Sequence, residues 1–451
     1  MFNRWMQIMK LALPSIVSFA SATVTGTISL LLVGQLGALV IAIVGVSNII
    51  MYNAWALSSG IGHTVNYLVA QSAGAGEWRK AIERTYLASY LCIGLGLLVA
   101  AAGTFAPEAL LHLMGGSPEL VEAGKGYLQL RFYAMVFTIG SFVLQGFFRG
   151  IGDTRTPMIM SFISNIGMIV LTYGLTYGHL GLPELGLAGA GIAFLIGELA
   201  ALVWGLYVFF IRLHPRLHTR ARIPFNLPEF KLIAGESGKL ALNEFAMSMA
   251  MFVFTAFVTR LGTAALAANE VSLNVMALGF MPAFGFGATA TILVGQEIGK
   301  GLNQAARRIG TDTALIGSIL LLLLGVAEFI WAEPIARLYS SDPEVYRLAA
   351  DLIRISAFLQ LFDGLFNFYA GGLRGIGDTT FLLVTSISLN WLLFLPLAYV
   401  LIFMLGYSSY GAWIALYTFI FALGCAVLIR YYFRDWTSIR AKQAQQAEPV
   451  H

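Results

Sequence analysis

Apolar residues run along this chain in long blocks separated by short polar turns. Leu11 to Val33, Val44 to Ala70 and Thr379 to Leu405 contain no Asp, Glu, Lys or Arg. A helix rises about 1.5 Å per residue, so each block is long enough to cross about 30 Å of hydrocarbon. Twelve such segments are predicted, at approximately 10–33, 44–72, 85–104, 123–148, 156–177, 187–211, 234–259, 266–298, 310–330, 346–373, 379–405 and 409–431. A buried core helix of a soluble protein explains one block of this kind but not a whole chain of them.

The pattern also repeats. RGIGDT occupies Arg149 to Thr154 and again Arg374 to Thr379, an offset of 225 (379 − 154). At the same offset Gln71 meets Gln296, Gly74 meets Gly299, Asn165 meets Asn390 and Gly186 meets Gly411. The chain therefore reads as two homologous halves. The expected fold is an all-α integral membrane protein with twelve transmembrane helices in two six-helix bundles. Six is even, so both halves start on the same side, which implies a pseudo-twofold axis along the membrane normal. The expected organisation is an N-terminal bundle over 1–211, a cytoplasmic linker over 212–232, a C-terminal bundle over 233–436 and a disordered tail over 437–451. KLALP at Lys10 to Pro14 matches KLALN at Lys239 to Asn243 at an offset of 229 (239 − 10), which predicts that the first and seventh helices differ in length or local geometry.

Composition agrees: 58% of residues are hydrophobic and 11% charged, against about a quarter charged in soluble domains. The net charge of +4 is no nucleic-acid signal, because its basic residues sit in alternate loops. Arg79, Lys80, Arg149, Arg155, Arg216, Arg220, Arg222, Lys300, Arg307, Arg308 and Arg374 follow the even-numbered spans, and Arg434, Arg440 and Lys442 lie in the tail. By the positive-inside rule both termini are cytoplasmic. Cys92 and Cys425 are isolated in apolar spans, so neither a disulfide framework nor a zinc site is expected. The first apolar segment leads straight into the repeat and reads as a membrane helix, not a cleavable leader. RGIGDT lacks the Walker Lys–Ser/Thr pair and follows a membrane helix, so it is read as a cytoplasmic turn with Arg149 and Arg374 anchored to headgroups, not as a nucleotide site.

The chain resembles the multidrug and toxic compound extrusion (MATE) family. The matching pieces are LALP at Leu11 to Pro14, VGQLG at Val33 to Gly37, LVAQSAGAG at Leu68 to Gly76 and LVGQEIGKG at Leu293 to Gly301. The two RGIGDT turns, Asn165, Asn390 and FLPLAY at Phe394 to Tyr399 also fit. The resemblance implies a V-shaped pair of bundles around a central cavity, and export of organic cations and amphipathic compounds driven by inward H⁺ or Na⁺ flow. Many relatives carry acids where this chain has Ser29 and Ile169. The N-terminal half thus lacks both acids proposed to carry protons there.

Charge near the bilayer centre is costly, so intramembrane acids are candidate coupling residues. Asp363 lies eleven residues (374 − 363) before Arg374, which places it roughly 16 Å from the cytoplasmic edge. That depth suits reversible proton binding or a Na⁺ site, and the resemblance points to the same residue. Its repeat mate is Thr138, so the site is asymmetric. Glu198, in the sixth span with repeat mate Leu423, reads as a proton relay or a hydroxyl-held acid. Glu244 on the seventh helix is a looser match to a family cation site, with an interfacial ion pair as the alternative. Glu270 reads either as an outer-vestibule ion ligand or as an ion pair with Arg260. Asn390 is the amide best placed to orient Asp363. His63 and Asn165 are read as polar points in the substrate cavity or as interhelical hydrogen-bonding residues. Met51, Tyr52, Trp55, Met276, Phe280 and Met281 are candidates for its apolar lining.

The expected function is a cation-coupled secondary antiporter in a bacterial inner membrane, monomeric, with H⁺ or Na⁺ and a small molecule as partners and no cofactor. The alternatives are a lipid-linked saccharide flippase of the same superfamily, an intramembrane enzyme and a passive channel. Twelve spans without mid-span Arg or Lys argue against the first. No paired-acid, Ser–His or metal-ligand constellation supports the second, and buried acids in a twofold repeat favour coupled transport over the third.

Overall fold

A computed structural model describes residues 2–221, 223–340 and 342–437. Arg222 and most of the predicted tail, from 438 onward, lie outside the described residues. Every regular element among the described residues is helical. In chain order these are α1 (Phe2–Gly34), α2 (Ala38–Gly74), α3 (Trp78–Phe105), α4 (Pro107–Leu113), α5 (Pro118–Gly150) and α6 (Arg155–Tyr177). Next come α7 (Gly186–Tyr207), extended by a π-helical turn over Val208–Arg212, and α8 (His214–Leu217). The second half contains α9 (Leu227–Thr259), α10 (Thr263–Gly299), α11 (Asn303–Ile330), α12 (Ala332–Tyr339), α13 (Pro343–Ala357) and α14 (Leu359–Ile376). It ends with α15 (Thr379–Ser388), α16 (Leu395–Tyr399) between π-helical turns Leu389–Phe394 and Val400–Met404, and α17 (Ser408–Phe433).

The repeat is visible in the helix ends. α2 and α10 are both 37 residues, α3 and α11 both 28, with starts and ends offset by 225 (263 − 38; 303 − 78). The capping chemistry repeats too. Ser117 caps α5 by accepting from the Leu120 amide, and Asp342 caps α13 by accepting from the Glu344 amide, each with proline at the first helical position. The left-handed Gly152 (φ 86°) and Gly377 (φ 97°) turn the chain within the two RGIGDT copies, a conformation that Gly adopts without strain.

The expected length difference between the first and seventh helices is not found. α1 and α9 are both 33 residues and both align at 225 (227 − 2). At that register Pro14 pairs with Lys239, and α1 runs through Pro14 without a break. The KLALP–KLALN match is therefore a coincidence of composition, out of structural register.

Among the described residues, eleven helices are long and apolar enough to cross a membrane. The tenth predicted span, 346–373, is interrupted at Phe358 into α13 and α14, whereas its counterpart α5 is continuous. The next span is irregular as well: Pro396 stands within it, between the two π-helical turns. Proline has no N–H to give to the preceding turn, so the ladder must be re-satisfied by wider bonds.

The chain divides into two compact units that do not follow the linker. One is Val17–Ala241; the other joins the chain up to Ile16 with that from Leu242 onward. The cuts fall inside α1 and α9 at equivalent positions, 225 apart (241 − 16). The first part of each helix thus packs with the other half's sequence. Polar contacts and ion pairs tie each first part to the unit it packs with. In the first unit, Glu229 of α9 accepts from Arg84 Nε of α3 at 3.2 Å and lies 3.5 Å from Lys80 Nζ. Tyr67 OH donates to Glu236 at 3.0 Å, and Lys239 reaches the same carboxylate at 2.7 Å. In the second unit, Arg4 of α1 meets Asp312 of α11 at 3.4 Å. Arg4 and Glu229 are repeat mates (229 − 4 = 225), so the same clamp is built twice with its charges reversed. Glycine makes the seat: a Cβ at Gly60 would strike Ser237 and Ala241, and one at its mate Gly285 would strike Ile16. Gly146 packs likewise on the Gly62 carbonyl, and Gly371 on that of Gly287, as close helix crossings require.

Arg84 is 8% and Glu229 6% exposed. Removing Arg84 leaves Glu229 with only the more exposed Lys80 at 3.5 Å, a loss of up to roughly 3–5 kcal/mol. Arg84→Gln is therefore expected to lower the unfolding temperature of the purified protein markedly, and Arg84→Gln with Glu229→Gln to recover much of it. Equal unfolding temperatures for wild type and Arg84→Gln would show that the clamp does not hold α9.

Candidate functional site

In the second unit, Asp363 stands five residues past the break at Phe358, half-buried on α14. Its carboxylate accepts from Asn367 Nδ2 at 2.9 Å, and the same amide donates to the Asp363 carbonyl at 3.0 Å. Asn367 is one helical turn on, so the two side chains share a face. None of the ion pairs among the described residues involves Asp363. The expected helper, Asn390, is buried in a π-helical turn and donates to its own Ser386 carbonyl at 2.9 Å. Asn367 takes the role foreseen for Asn390, and the DGLFN spacing could have pointed to it.

Glu244 lies on α9 within Coulombic range of Arg374, with Asn243 hydrogen-bonded beside it. Arg374 thus has an acid in its electrostatic surroundings, although no ion pair joins the two among the described residues. Arg149 is turned inward: its guanidinium donates to Gln145 at 3.3 Å and lies 5.2 Å from the Phe19 ring. Glu270 is exposed on α10, its carbonyl accepts from Asn274, and no ion pair joins it to Arg260 among the described residues.

In the first unit, Glu198 of α7 is held by two hydroxyls. Thr138 Oγ1 donates to Oε2 at 3.0 Å and Ser164 Oγ to Oε1 at 2.7 Å, with Arg131 in Coulombic range. Thr138 is the repeat mate of Asp363. The N-terminal half therefore has its acid at the same place in its bundle, carried by α7 instead of α5. Asn165 donates to Ser21 at 2.8 Å. His63 is half-buried on α2.

The apolar candidates divide. Met51 and Met276, themselves repeat mates, are buried in the cores of their units. Tyr52 is exposed and stacks on Trp55 at 5.8 Å, and Trp55 meets Phe142 edge-on at 6.2 Å. Phe280, the mate of Trp55, lies against Phe284 at 6.4 Å. Met281 is half-buried beside it. One acid was missed. Glu328 lies in the last turn of α11 and accepts from Gln360 Nε2 of α14. It is the only charged residue between Asp312 and Glu333, the same signal that singled out Glu198.

An all-helical membrane chain of two repeats, each holding an acid among apolar spans, has the build of a secondary transporter. The MatE family model matches residues 14–174 and 240–400, most of both halves. The chain belongs to this family, the one its motifs resemble. It is 27% identical over 415 residues to a probable multidrug resistance protein NorM of Thermotoga maritima, covering 91% of this chain and 88% of that one. It is 28% identical over 432 residues to a probable NorM of Bradyrhizobium diazoefficiens (93% and 92% covered), and 27% over 408 residues to multidrug resistance protein MdtK of Proteus mirabilis (87% of each). The fold matches an outward-facing multidrug resistance MATE family transporter of the MOP superfamily with a TM-score of 0.88 at 19% identity, covering 97% of both chains. It matches MATE in the straight conformation with a TM-score of 0.89 at 18% identity, again covering 97% of both.

A double-mutant cycle over Thr138→Val and Glu198→Gln, read by reversible unfolding, is expected to return a coupling of about 0.6 kcal/mol and at most about 1.7, the range for interhelical hydrogen bonds in membranes. A coupling of zero would place the Thr138 hydroxyl elsewhere.

Proposed function

We propose that this protein is a cation-coupled antiporter that exports small amphipathic or cationic molecules by alternating access, with H⁺ or Na⁺ moving inward. The observation that carries the reading is Asp363: an acid inside a membrane bundle, beside a helix break, satisfied by a neutral amide and by no basic side chain. Such an acid is held neutral by a proton or balanced by a cation from outside. Either event biases the unit only through its different affinity for two conformations. Asn367 orients the carboxylate.

Glu198 serves as the second coupling acid and takes the place of those absent at Ser29 and Ile169. Glu244, with Arg374 in Coulombic range, is assigned a structural role. Glu270 is an accessory cation ligand. Tyr52, Trp55, Phe280 and Met281 offer adaptable apolar contact to cargo, whereas Met51 and Met276 support them from within. The distribution of Lys and Arg places both termini in the cytoplasm, and the bacterial relatives fit a location in the cytoplasmic membrane. The protein acts as a monomer.

The test is efflux of a fluorescent organic cation from proteoliposomes under an imposed pH gradient or an imposed Na⁺ gradient. One gradient is expected to drive efflux in wild type, identifying the ion, and Asp363→Asn to abolish it. Normal pumping by Asp363→Asn would move coupling to Glu198. No gradient-driven efflux from folded wild type would end the antiporter reading.

A further inference from the structure

We propose that Glu328, held by the buried amide of Gln360, is the polar head of a binding site for small amphipathic monocations in the cavity beside it. A cavity of about 340 Å³ lies where the end of α11 meets α10 and α12. Its walls are Val275, Leu324, Ile335, Leu338 and Tyr339, and its charged group is Glu328. The volume is at the lower end of ligand pockets, which run from about 300 to 1,000 Å³. A proton or a metal ion alone would leave most of it unfilled. Leu338 and Tyr339 are more than half exposed, so the cavity has an open rim.

The charge of the occupant follows from what surrounds Glu328. Its carboxylate sits at the C-terminal end of a helix, where the backbone dipole already favours a cation, and the last turn of α11 contains no basic residue. No Lys, Arg or His lines the cavity. On α12, Arg337 is taken by Glu333 at 2.6 Å and lies over the Tyr346 ring at 4.7 Å. On α13, Arg354 is taken by Asp351 at 3.0 Å. The resident partner of Glu328 is the neutral amide of Gln360. A carboxylate set in an apolar recess without a resident counter-charge is complementary to a cation with an apolar body, and the Tyr339 ring at the rim adds a cation–π surface.

The head group is built, not incidental. Gln360 is 0% exposed, and its Oε1 has no hydrogen-bond partner. The amide fits only because residue 279 is glycine: a Cβ there would overlap it. The first half of the chain is an internal control. At the 225 offset, Glu328, Gln360 and Gly279 correspond to Gly103, Met135 and Ala54. The helices of that half form with none of the three, and α5 there has no counterpart of the break at Phe358 beside Gln360. An acid, a buried amide and the glycine that admits it occur together in one half only, as a ligand site would demand.

The experiment measures equilibrium binding of radiolabelled benzyltrimethylammonium to the full-length protein in lipid nanodiscs, with no gradient present. Wild type is expected to bind. Glu328→Gln is expected to weaken binding by at least about tenfold, the loss of one charge-assisted contact. Gly279→Val, which displaces the Gln360 amide, is expected to act in the same direction. Asp363→Asn is expected to weaken binding less than Glu328→Gln does. Absence of binding to folded wild type, or wild-type binding by Glu328→Gln, would overturn the proposal. So would loss in Asp363→Asn without loss in Glu328→Gln, because the probe would then occupy the coupling site. Should Glu328→Gln fail to fold, Glu328→Asp and Gly279→Val decide by the same criterion. Because no transport is measured, failure here and failure of the antiporter reading are separate results.

Discussion

A carboxyl group among apolar helices must find a proton, a cation or a set of donors, and that constraint sorts the buried acids of this chain into two kinds. Glu229, Glu236, Asp312 and Asp378 each meet a basic side chain: Arg84 and Lys80, Lys239, Arg4 and Arg430 respectively. Their charge is balanced within the protein, so they hold helices in place. Asp363, Glu198 and Glu328 are instead satisfied by amides and hydroxyls. None of the three forms an ion pair among the described residues, although Arg131 lies in Coulombic range of Glu198. The two kinds of acid thus differ in their partners.

The paired acids also hold in place the first part of the helix that the two homologous halves exchange. Arg4 and Glu229 occupy the same register and clamp their helices with opposite sign. Each clamp therefore has its own complementary partner, Asp312 in one unit and Arg84 in the other. Glycine at Gly60 and Gly285 lets each crossing helix approach closely enough for the clamp to close. The repeat is a backbone template on which the side chains diverged: Thr138 replaces Asp363, and Gly103 replaces Glu328, without loss of the helix.

Much of this was legible from the residues. The apolar blocks, the RGIGDT copies and the constant offset led to the spans and to the repeat, because hydrophobic length and identity in register are local properties. Asp363 and Glu198 stood out as lone acids in apolar spans. Glu328 carried the same signal and was overlooked. Asn390 shares a half with Asp363, but the amide on the carboxylate is Asn367, one turn away on the same helix. The KLALP match misled because a short apolar string recurs by composition alone. The position of Arg149 at a helix end suggests headgroups, whereas its side chain meets Gln145 and Phe19.

The sequence by itself determined the class of protein: its membrane helices and the doubling of the plan, since these follow from hydrophobic length and periodic identity along the chain. It also named the acids that hydrocarbon makes costly. Tertiary structure alone decided which of those acids are paired. It decided where α13 gives way to α14, that Thr138 serves Glu198, and that Gln360 enters the space left by Gly279. The reason is physical: the state of a buried carboxyl depends on donors and charges within a few ångströms, and those come from helices distant in sequence.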